Sequence, residues 1–392
     1  MTTLLLNAAD RDVLRAALDG ALDQLRGLLA EFGPRFPDDT APHDRYRPRR
    51  WLDLPDGANS GWTTGFWTGM LWLAHELSGE TGFREAAEGH LASFEERLER
   101  RIQIDHHDLG FLYMPSCVAA WRLRGDTQAR AVALGAADYL MRRYLPRAGI
   151  IQAWGDLDDP AQRGRMIIDC LMNLPLLHWA ARASGEARYR DAALRHLDLS
   201  RDYLVRADDS SFHTYHFDPE TGTPLYGSTA QGLADDSCWA RGQAWGVYGF
   251  ALNHRHAPDL GLLGAARRQA DYFIRHLPPN GIAYWDLAFG PGSAEPCDSS
   301  ASAIAACGLL ELAGHLDADD AAAAHNYRAA ALHMLRGLAT HCAARAPASN
   351  ALLLHGVYSK PHGQGVDEPS LWGDYFYLEG LARVLHGANG YW

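Results

Sequence analysis

SGETGFREAAEGHLASFEERL, residues 78–98, opens on a small turn and runs into a helix with apolar residues on one face. Its apolar positions recur at three- and four-residue steps while the charges fall opposite, the pattern of an outer helix lying over a core. The same design returns in RGDTQARAVALGAADYLMRRY (124–144) and SGEARYRDAALRHLDLSRDYL (184–204). Looser copies are APDLGLLGAARRQADYFIRHL (257–277) and LDADDAAAAHNYRAAALHMLRGL (316–338). A unit that returns about every 60 residues marks stacked supersecondary structure rather than one continuous mixed fold.

Before each copy stands a different helix, apolar on more sides and rich in Gly, Ala and Trp. These begin near Trp62, Asp108, Asp169, Asp236, Asp298 and Asp374. Residues 9–32 supply a sixth amphipathic helix that can pair with the last of them. Alternating amphipathic and buried helices in six hairpins close into a double ring. The expectation is all-α, an (α/α)6 barrel, with residues 1–392 as a single domain. A two-domain solenoid competes, but no Pro/Ser/Gly-rich linker divides the chain. Strand signals are confined to short pieces such as GIIQAW (149–154) and GIAYWDL (281–287). Glycine-bearing loops gather at the entries to the inner helices, and function is expected there.

Composition narrows the classes. The 392 residues are 47% hydrophobic, enough for a large core, and the net charge of -12 disfavours nucleic acid as a partner. The 12 Trp and 16 Tyr suit both a core and stacking on sugar rings. Six cysteines, Cys117, Cys170, Cys238, Cys297, Cys307 and Cys342, form no CxxC pair and read as free thiols of a reducing compartment. The N-terminal MTTLLLNAADRDVLRAALDG has no basic segment before its short apolar run, and no stretch is apolar enough to span a membrane. A cytoplasmic location is expected.

Aspartate at a helix start has a bland explanation, since its carboxylate accepts backbone N–H groups. Asp236 and Asp298 read as such caps. Asp108, in IDHHDLGFLYMPS (104–116), and Asp169, in RGRMIIDCLMNLPLLHWA (163–180), allow a second reading. Ile168 and Cys170 leave Asp169 poorly solvated, with Asn173 one turn on, and both burial and a nearby carboxylate raise a carboxyl pKa, as a general acid needs. From the residues alone, an acid/base pair and two N-caps stand equally. The stretch YGSTAQGLADDSCWARGQAWG (226–246) reads as a long loop concentrating Gln231, Arg241, Gln243 and Trp245. Arg241 suits bidentate capture of a carboxylate and Trp245 a flat apolar face. His213 and His216 lack partners at metal-ligand spacing and read as hydrogen-bonding or core histidines, so no metal is expected. Signatures for nucleotide binding and for a serine nucleophile elbow are absent.

Together the stretches GWTTGFWTGMLWLAHELSG (61–79), HDLGF (107–111), RMIIDCLMNLP (165–175), DDSCWARGQAWG (235–246), DSSASAIAACGLLEL (298–312) and WGDYFYLEGL (372–381) resemble glycoside hydrolase family 88, the unsaturated glucuronyl hydrolases. The resemblance runs in order along nearly the whole chain. It implies an (α/α)6 barrel without cofactor that acts on lyase-generated oligosaccharides whose non-reducing uronate carries a C4=C5 double bond. It further implies Asp169 as general acid/base and Asp108 as its assistant in holding substrate. Substrate contacts carry over to Trp62, His213, Gln231, Arg241 and Trp245, with Trp62 and Trp245 stacking on sugars and backbone near Gly227 and Thr229 contributing. Which group faces the uronate carboxylate stays open. So does the segment SKPHGQGVDEPS (359–370), where Ser359, Lys360 and His362 either tune tolerance for a sulfated neighbouring sugar or, for Lys360, form solvated surface. Two rivals remain. One is an unsaturated rhamnogalacturonyl hydrolase with the same chemistry; the other is a non-catalytic sugar-binding or epimerase barrel.

Overall fold

In the computed structural model, which describes residues 6–388 and 390–392, six helical hairpins form the body of the chain. Residues 1–5, on which part of the leader reading rests, lie outside the described residues. The inner helices are Thr64–Ser78, 109–124, Leu174–Ser184, Ala240–His254, Ser299–Leu316 and Leu371–His386. Each packs on the next, and the last returns to the first, so the inner ring is closed. Thr81–Glu99, Thr127–Met141, Ala187–Tyr203, Leu262–Arg275 and Ala321–His341 each follow an inner helix and cover it, and Ala8–Phe32 covers the last. This is the (α/α)6 barrel that the repeat predicts.

The turns of the quoted repeat are now explicable. Gly79, Gly125 and Gly185 end three inner helices at φ of 74°, 68° and 80°. That left-handed conformation costs glycine least. The outer helix then starts within two residues, so the hairpins are tight. Ala187–Tyr203 buries Tyr189, Ala192, Ala193, His196, Leu197, Leu199 and Ser200, a stripe at helical spacing. Ala240–His254 is buried from Ala240 through Asn253, because it faces other helices all round.

Three expectations need correction. Asp236 is exposed and caps nothing; the inner helix starts at Ala240 with Trp239 before it. The supposed loop 226–246 is a loop only at its centre, since 226–228 belong to the strand Pro224–Ser228 and 240–246 to a helix. The inner helix expected at Asp169 starts later, at Leu174, where Pro175 favours a first turn; Ile168–Met172 is a 3-10 turn. Asp298 does cap, accepting the N–H of Ser300 at 3.0 Å.

Short antiparallel strands decorate one end of the ring. Arg165–Ile167, Thr214–Phe217 and Pro224–Ser228 form a three-stranded sheet in which Ile167 faces Thr214 and Tyr215 faces Gly227. Tyr144–Leu145 pairs with Ile150–Ile151, and Gly356–Ser359 with Gln364–Glu368. GIAYWDL joins only isolated bridges, Tyr284 with Cys297 and Trp239 with Asp286. The six cysteines are unpaired, and all but the half-buried Cys297 are buried. No described helix is long and apolar enough to cross a membrane.

Candidate active site

The sheet sets the first carboxylate. Arg165–Ile167 runs into the barrel mouth, and the N–H of Ile168 donates to the carbonyl of His213 at 3.1 Å. That bond ends the strand and turns the chain, leaving Asp169 at the corner where strand becomes helix. The same pairing holds His213 beside it. Asp108 arrives from the neighbouring inner helix at the N-cap position, yet its side chain makes no capping bond. Its loop is fixed by the N–H of His107, which donates to Ala153 at 2.9 Å and brings Trp154 alongside. Gly110, next in HDLGF, is required: a Cβ there would overlap the backbone of Asn173. That close approach puts the two inner helices, and so the two aspartates, side by side.

A pocket opens at this junction, lined by Trp62, His107, Asp108, Trp154, Ile167, Asp169, His213, Ala230, Gln231, Arg241 and Tyr358. A second compartment shares Trp62, Asp108 and Tyr358 and continues outward past Arg49, Trp51 and Gln364.

The two carboxyls are driven apart in acidity. Burial first, and then the negative charge of Asp108, push Asp169 up to about 7 against the opposing pull of His107 and Arg241. Oδ1 of Asp169 is buried with no hydrogen-bond partner. Burial would push Asp108 up as well, but the charge of His107, with His106 beside it, holds this carboxyl well below the usual carboxylate range. Nε2 of His107 lies 3.2 Å from Oδ1 of Asp108. His106 is differently engaged, its Nε2 on the carbonyl of Gln103 at 2.9 Å and its Nδ1 accepting the N–H of Asp108 at 3.0 Å. His107 is therefore the ring donor left for the carboxylate. The outcome near neutral pH is one acid ready to give a proton and one carboxylate ready to accept hydrogen bonds.

The other walls are fixed by interactions of their own. The ring N–H of Trp62 donates to the Tyr358 hydroxyl at 2.9 Å. Burial, then the charge of Arg241, push His213 down to about 3, so it stays neutral. Its Nδ1 accepts the N–H of Ala230 at 3.1 Å. Gln231 donates to the carbonyl of Tyr358 at 3.0 Å. Arg241 does not offer a free fork. It donates to Asp298 at 3.0 Å, to the carbonyl of Tyr358 at 2.7 Å and to that of Val357, so it brings charge rather than an open bidentate grip.

Not every expected residue reaches the pocket. Trp245 is fully buried between Phe111 and Phe376, with ring centroids 5.1 Å and 5.3 Å away, and belongs to the barrel core. Gly227 packs against the ring of Phe212, and Thr229 braces its own loop by accepting the N–H of Gly232 at 2.8 Å; Ala230 lines the pocket in their stead. Gln243 is buried behind the wall, donating to the carbonyls of Asp209 and Gln269 at 3.0 Å each. His216 stacks on Tyr226 and meets Ser228 at 2.9 Å, away from the pocket. Ser359 is bonded to His362 at 2.7 Å and Lys360 lies 3.7 Å from Glu295, so all three are engaged elsewhere. Among the described residues, no three His, Cys, Asp or Glu side chains are grouped to hold a metal ion. Unforeseen members are His107, Trp154, Ile167, Ala230 and Tyr358. His107 stood in the quoted HDLGF, and Trp154 ended the strand-like GIIQAW.

A protonated acid beside an ionised carboxylate, in an aromatic-walled pocket at the mouth of a helical barrel, is the equipment of a glycoside hydrolase. The chain belongs to Glycosyl Hydrolase Family 88, whose model matches residues 39–377. It is 45% identical over 377 residues to an unsaturated chondroitin disaccharide hydrolase of Streptococcus pneumoniae, covering 96% of this chain and 93% of the relative. Among solved structures, the unsaturated glucuronyl hydrolase of Bacillus sp. GL1, responsible for the degradation of glycosaminoglycan, superposes with a TM-score of 0.92 at 45% identity, covering 97% of this chain and 98% of that one. A mutant unsaturated glucuronyl hydrolase of Streptococcus agalactiae complexed with dGlcA-GalNAc6S gives a TM-score of 0.84 at 40% identity, covering 97% and 93%.

Proposed function

We propose that the chain, acting as one catalytic domain, removes a 4,5-unsaturated glucuronic acid from the non-reducing end of lyase-generated oligosaccharides. The observation that carries the reading is the unpartnered, raised carboxyl of Asp169 facing the pocket next to an ionised Asp108. An unsaturated uronate is a vinyl ether conjugated to a carboxylate. Asp169 gives its proton to C4, and positive charge develops at C5 and the ring oxygen. Water adds to C5 while the Asp169 carboxylate takes a proton from it, restoring the acid. The hemiketal so formed opens and releases the remaining sugar. Opening breaks the bond between C5 and the ring oxygen and leaves a hemiacetal at C1, which collapses to an aldehyde as its bond to the remaining sugar breaks. Because water attacks C5 and not C1, the rule that relates carboxylate separation to retention or inversion has no bearing.

Asp108 stays ionised throughout on this reading. It accepts hydrogen bonds from sugar hydroxyls and, as a like charge, resists ionisation of Asp169 before substrate arrives. Trp62 offers a face to the sugar, with its N–H already tied to Tyr358. His213 and Gln231 supply neutral polar contacts, and Arg241 a positive field for the uronate. The names of the relatives favour a glucuronyl substrate over the rhamnogalacturonyl alternative, and the acid/base pair favours catalysis over simple sugar binding.

The test follows the ultraviolet absorbance of the conjugated double bond with unsaturated chondroitin, hyaluronan and gellan fragments, sulfated and unsulfated. Loss of the chromophore with release of the neighbouring sugar is expected for at least one. An unchanged chromophore with every lyase-derived substrate would overturn the proposal.

A further inference from the structure

One wall of the pocket has no part in the mechanism above. Trp154 lines the pocket and is still 37% exposed, so it is both wall and rim. Beyond it the three-stranded sheet carries the surface outward. Side chains two apart on a strand share a face, so Arg165 lies on the face of Ile167, which lines the pocket. Directly opposed residues share a face as well. That adds His216 and Tyr226, since Arg165 pairs with His216 and His216 with Tyr226. The other face is turned to the core, where Tyr215 and Phe217 pack on Tyr203 of the outer helix, with ring centroids 5.2 Å and 5.3 Å away.

The guanidinium of Arg165 stacks on Trp154, 5.3 Å from the centre of its ring. The two segments beneath are knitted together. The N–H of Ala153 donates to the carbonyl of Arg165 at 3.1 Å, and that of Gly164 to the side-chain oxygen of Gln152 at 2.9 Å. Gln152 is fully buried and also donates to the carbonyl of Trp154 at 3.3 Å. The stack is therefore formed before any ligand arrives, which lowers the ordering cost of binding.

Arg165 keeps its charge free. Two other arginines at this end of the barrel, Arg147 and Arg163, both meet Glu220, at 3.1 Å and 2.8 Å. Arg165 pairs with no carboxylate among the described residues, and its Nε has no hydrogen-bond partner. Asp159, whose carboxyl feels the charge of Arg165, is taken by the N–H of Ala161 at 2.9 Å and by Gln162 at 2.7 Å. Burial, and then Arg165, hold His216 below the usual imidazole range, so it adds no charge at neutral pH. His216 and Tyr226 stack with centroids 4.5 Å apart. The row Trp154, Arg165, His216, Tyr226 thus sets one fixed positive charge among flat rings, leading away from the pocket.

We propose that this row is a second subsite, in which the Arg165 fork binds an anionic group on the oligosaccharide beyond the uronate held in the pocket. The group is a sulfate ester or the carboxylate of a further uronate, and the aromatic rings receive the sugar faces around it. The proposal rests on the reading of the pocket given above. A guanidinium offers two parallel N–H groups to two oxygens of either anion. The uronate inside the pocket already has the positive field of Arg241, and Trp154 stands between that pocket and Arg165.

The test measures kcat/KM on three unsaturated substrates. They are an unsulfated disaccharide, the same disaccharide sulfated on its neighbouring amino sugar, and an unsulfated tetrasaccharide with a second uronate. In Arg165→Gln the ratio of an anion-bearing substrate to the plain disaccharide should fall about tenfold. Arg165→Lys should regain part of it, and added salt should narrow the ratio in the parent. Whichever substrate loses ground identifies the source of the anion. An equal loss on all three, or no loss on any, overturns the proposal.

A second readout needs no turnover. Calorimetry with Asp169→Asn compares binding of the same three fragments with and without Arg165→Gln. Tighter binding of an anion-bearing fragment that vanishes with Arg165 sustains the subsite even if no substrate is cleaved. Equal affinities, no binding at all, or a preference that survives without Arg165 would sink it even in an active enzyme.

Discussion

The side-chain amide of Asn173 stands 3.5 Å from Oδ1 of Asp108 and 3.3 Å from the carbonyl of Asp169, and so spans the two segments that carry the aspartates. Its own oxygen accepts the N–H of Phe111 at 2.8 Å. A fully buried amide therefore fixes the relative placement of the two carboxylates at the point where their helices touch. Asn173→Ala should leave the Phe111 N–H without a partner, at a cost of about 1–3 kcal/mol. It should also loosen the pair, lowering kcat more than it raises KM. Gly110→Ala, which forces the same two backbones apart, should cause the same split. Thermal unfolding together with steady-state kinetics checks both.

Asp169→Asn removes the proposed proton donor. Activity should fall by about 10²–10⁴-fold in a folded protein, the usual span for a general acid/base. In the parent, turnover should decline as pH rises through about 7, where Asp169 ionises. Retention of most activity in the variant would show that another group protonates C4.

The same carboxyl has a stability signature of the same sense. Asp169 and Asp374 are both raised to about 7, burial being the first cause in each. Between an ordinary carboxyl value of about 4 and 7, the folded protein holds protons that the unfolded chain has released, so stability falls as pH rises across that window. Asp169→Asn should therefore lose less Tm than the parent between mildly acidic and mildly alkaline buffer. Differential scanning calorimetry at several pH values measures it.

Asp108→Asn takes away the partner of His107 and the like charge next to Asp169. Turnover should be severely impaired, and the descending limb of the residual activity should move to higher pH, because the buried His107 loses the charge that Asp108 sustains and its pull on Asp169 is larger than the repulsion from Asp108. A descending limb that stays in place would mean that the two carboxyls do not interact.

Arg241 and Asp298 form an ion pair with side chains 1% and 0% exposed. Arg241→Gln strands a buried carboxylate, and a loss of about 3–5 kcal/mol is expected. Adding Asp298→Asn should recover part of that stability while activity stays low, since the positive field at the pocket is still missing. Denaturant unfolding of the single and double variants separates the two effects.

The ring was legible because its signals are long. Helical periodicity over some twenty residues, ended by glycine at left-handed φ, survives any tertiary context. The aspartates were legible only as candidates, since capping and catalysis ask for the same residue type at the same place; the absence of a side-chain cap at Asp108 had to be seen. Trp245 was misplaced for a geometric reason. It shares a helix face with Arg241, but one turn later means about 5.4 Å deeper along the barrel, which carries it from the wall into the core. The sheet escaped because Arg165–Ile167 and Thr214–Phe217 are too short to express a two-residue alternation. With it went the reason why His213 and Asp169 meet. Tyr358 escaped likewise, lying in the four-residue strand Gly356–Ser359, too short to show an alternation.

The hydrogen bond from Trp62 to Tyr358 joins residues 296 apart in the chain. The ring, too, closes only when Leu371–His386 docks between Thr64–Ser78 and Ala8–Phe32. The pocket is thus a seam. During synthesis from the N-terminus the first wall emerges early and must wait, with its tryptophan uncovered, for nearly the whole protein to follow. A ribosome-bound chain halted before residue 356 has both aspartates but neither the Trp62 clasp nor the carbonyls that fasten Arg241. Activity should therefore appear only once Leu371–His386 has emerged and docked, and the nascent chain stands in need of shielding until the seam is shut.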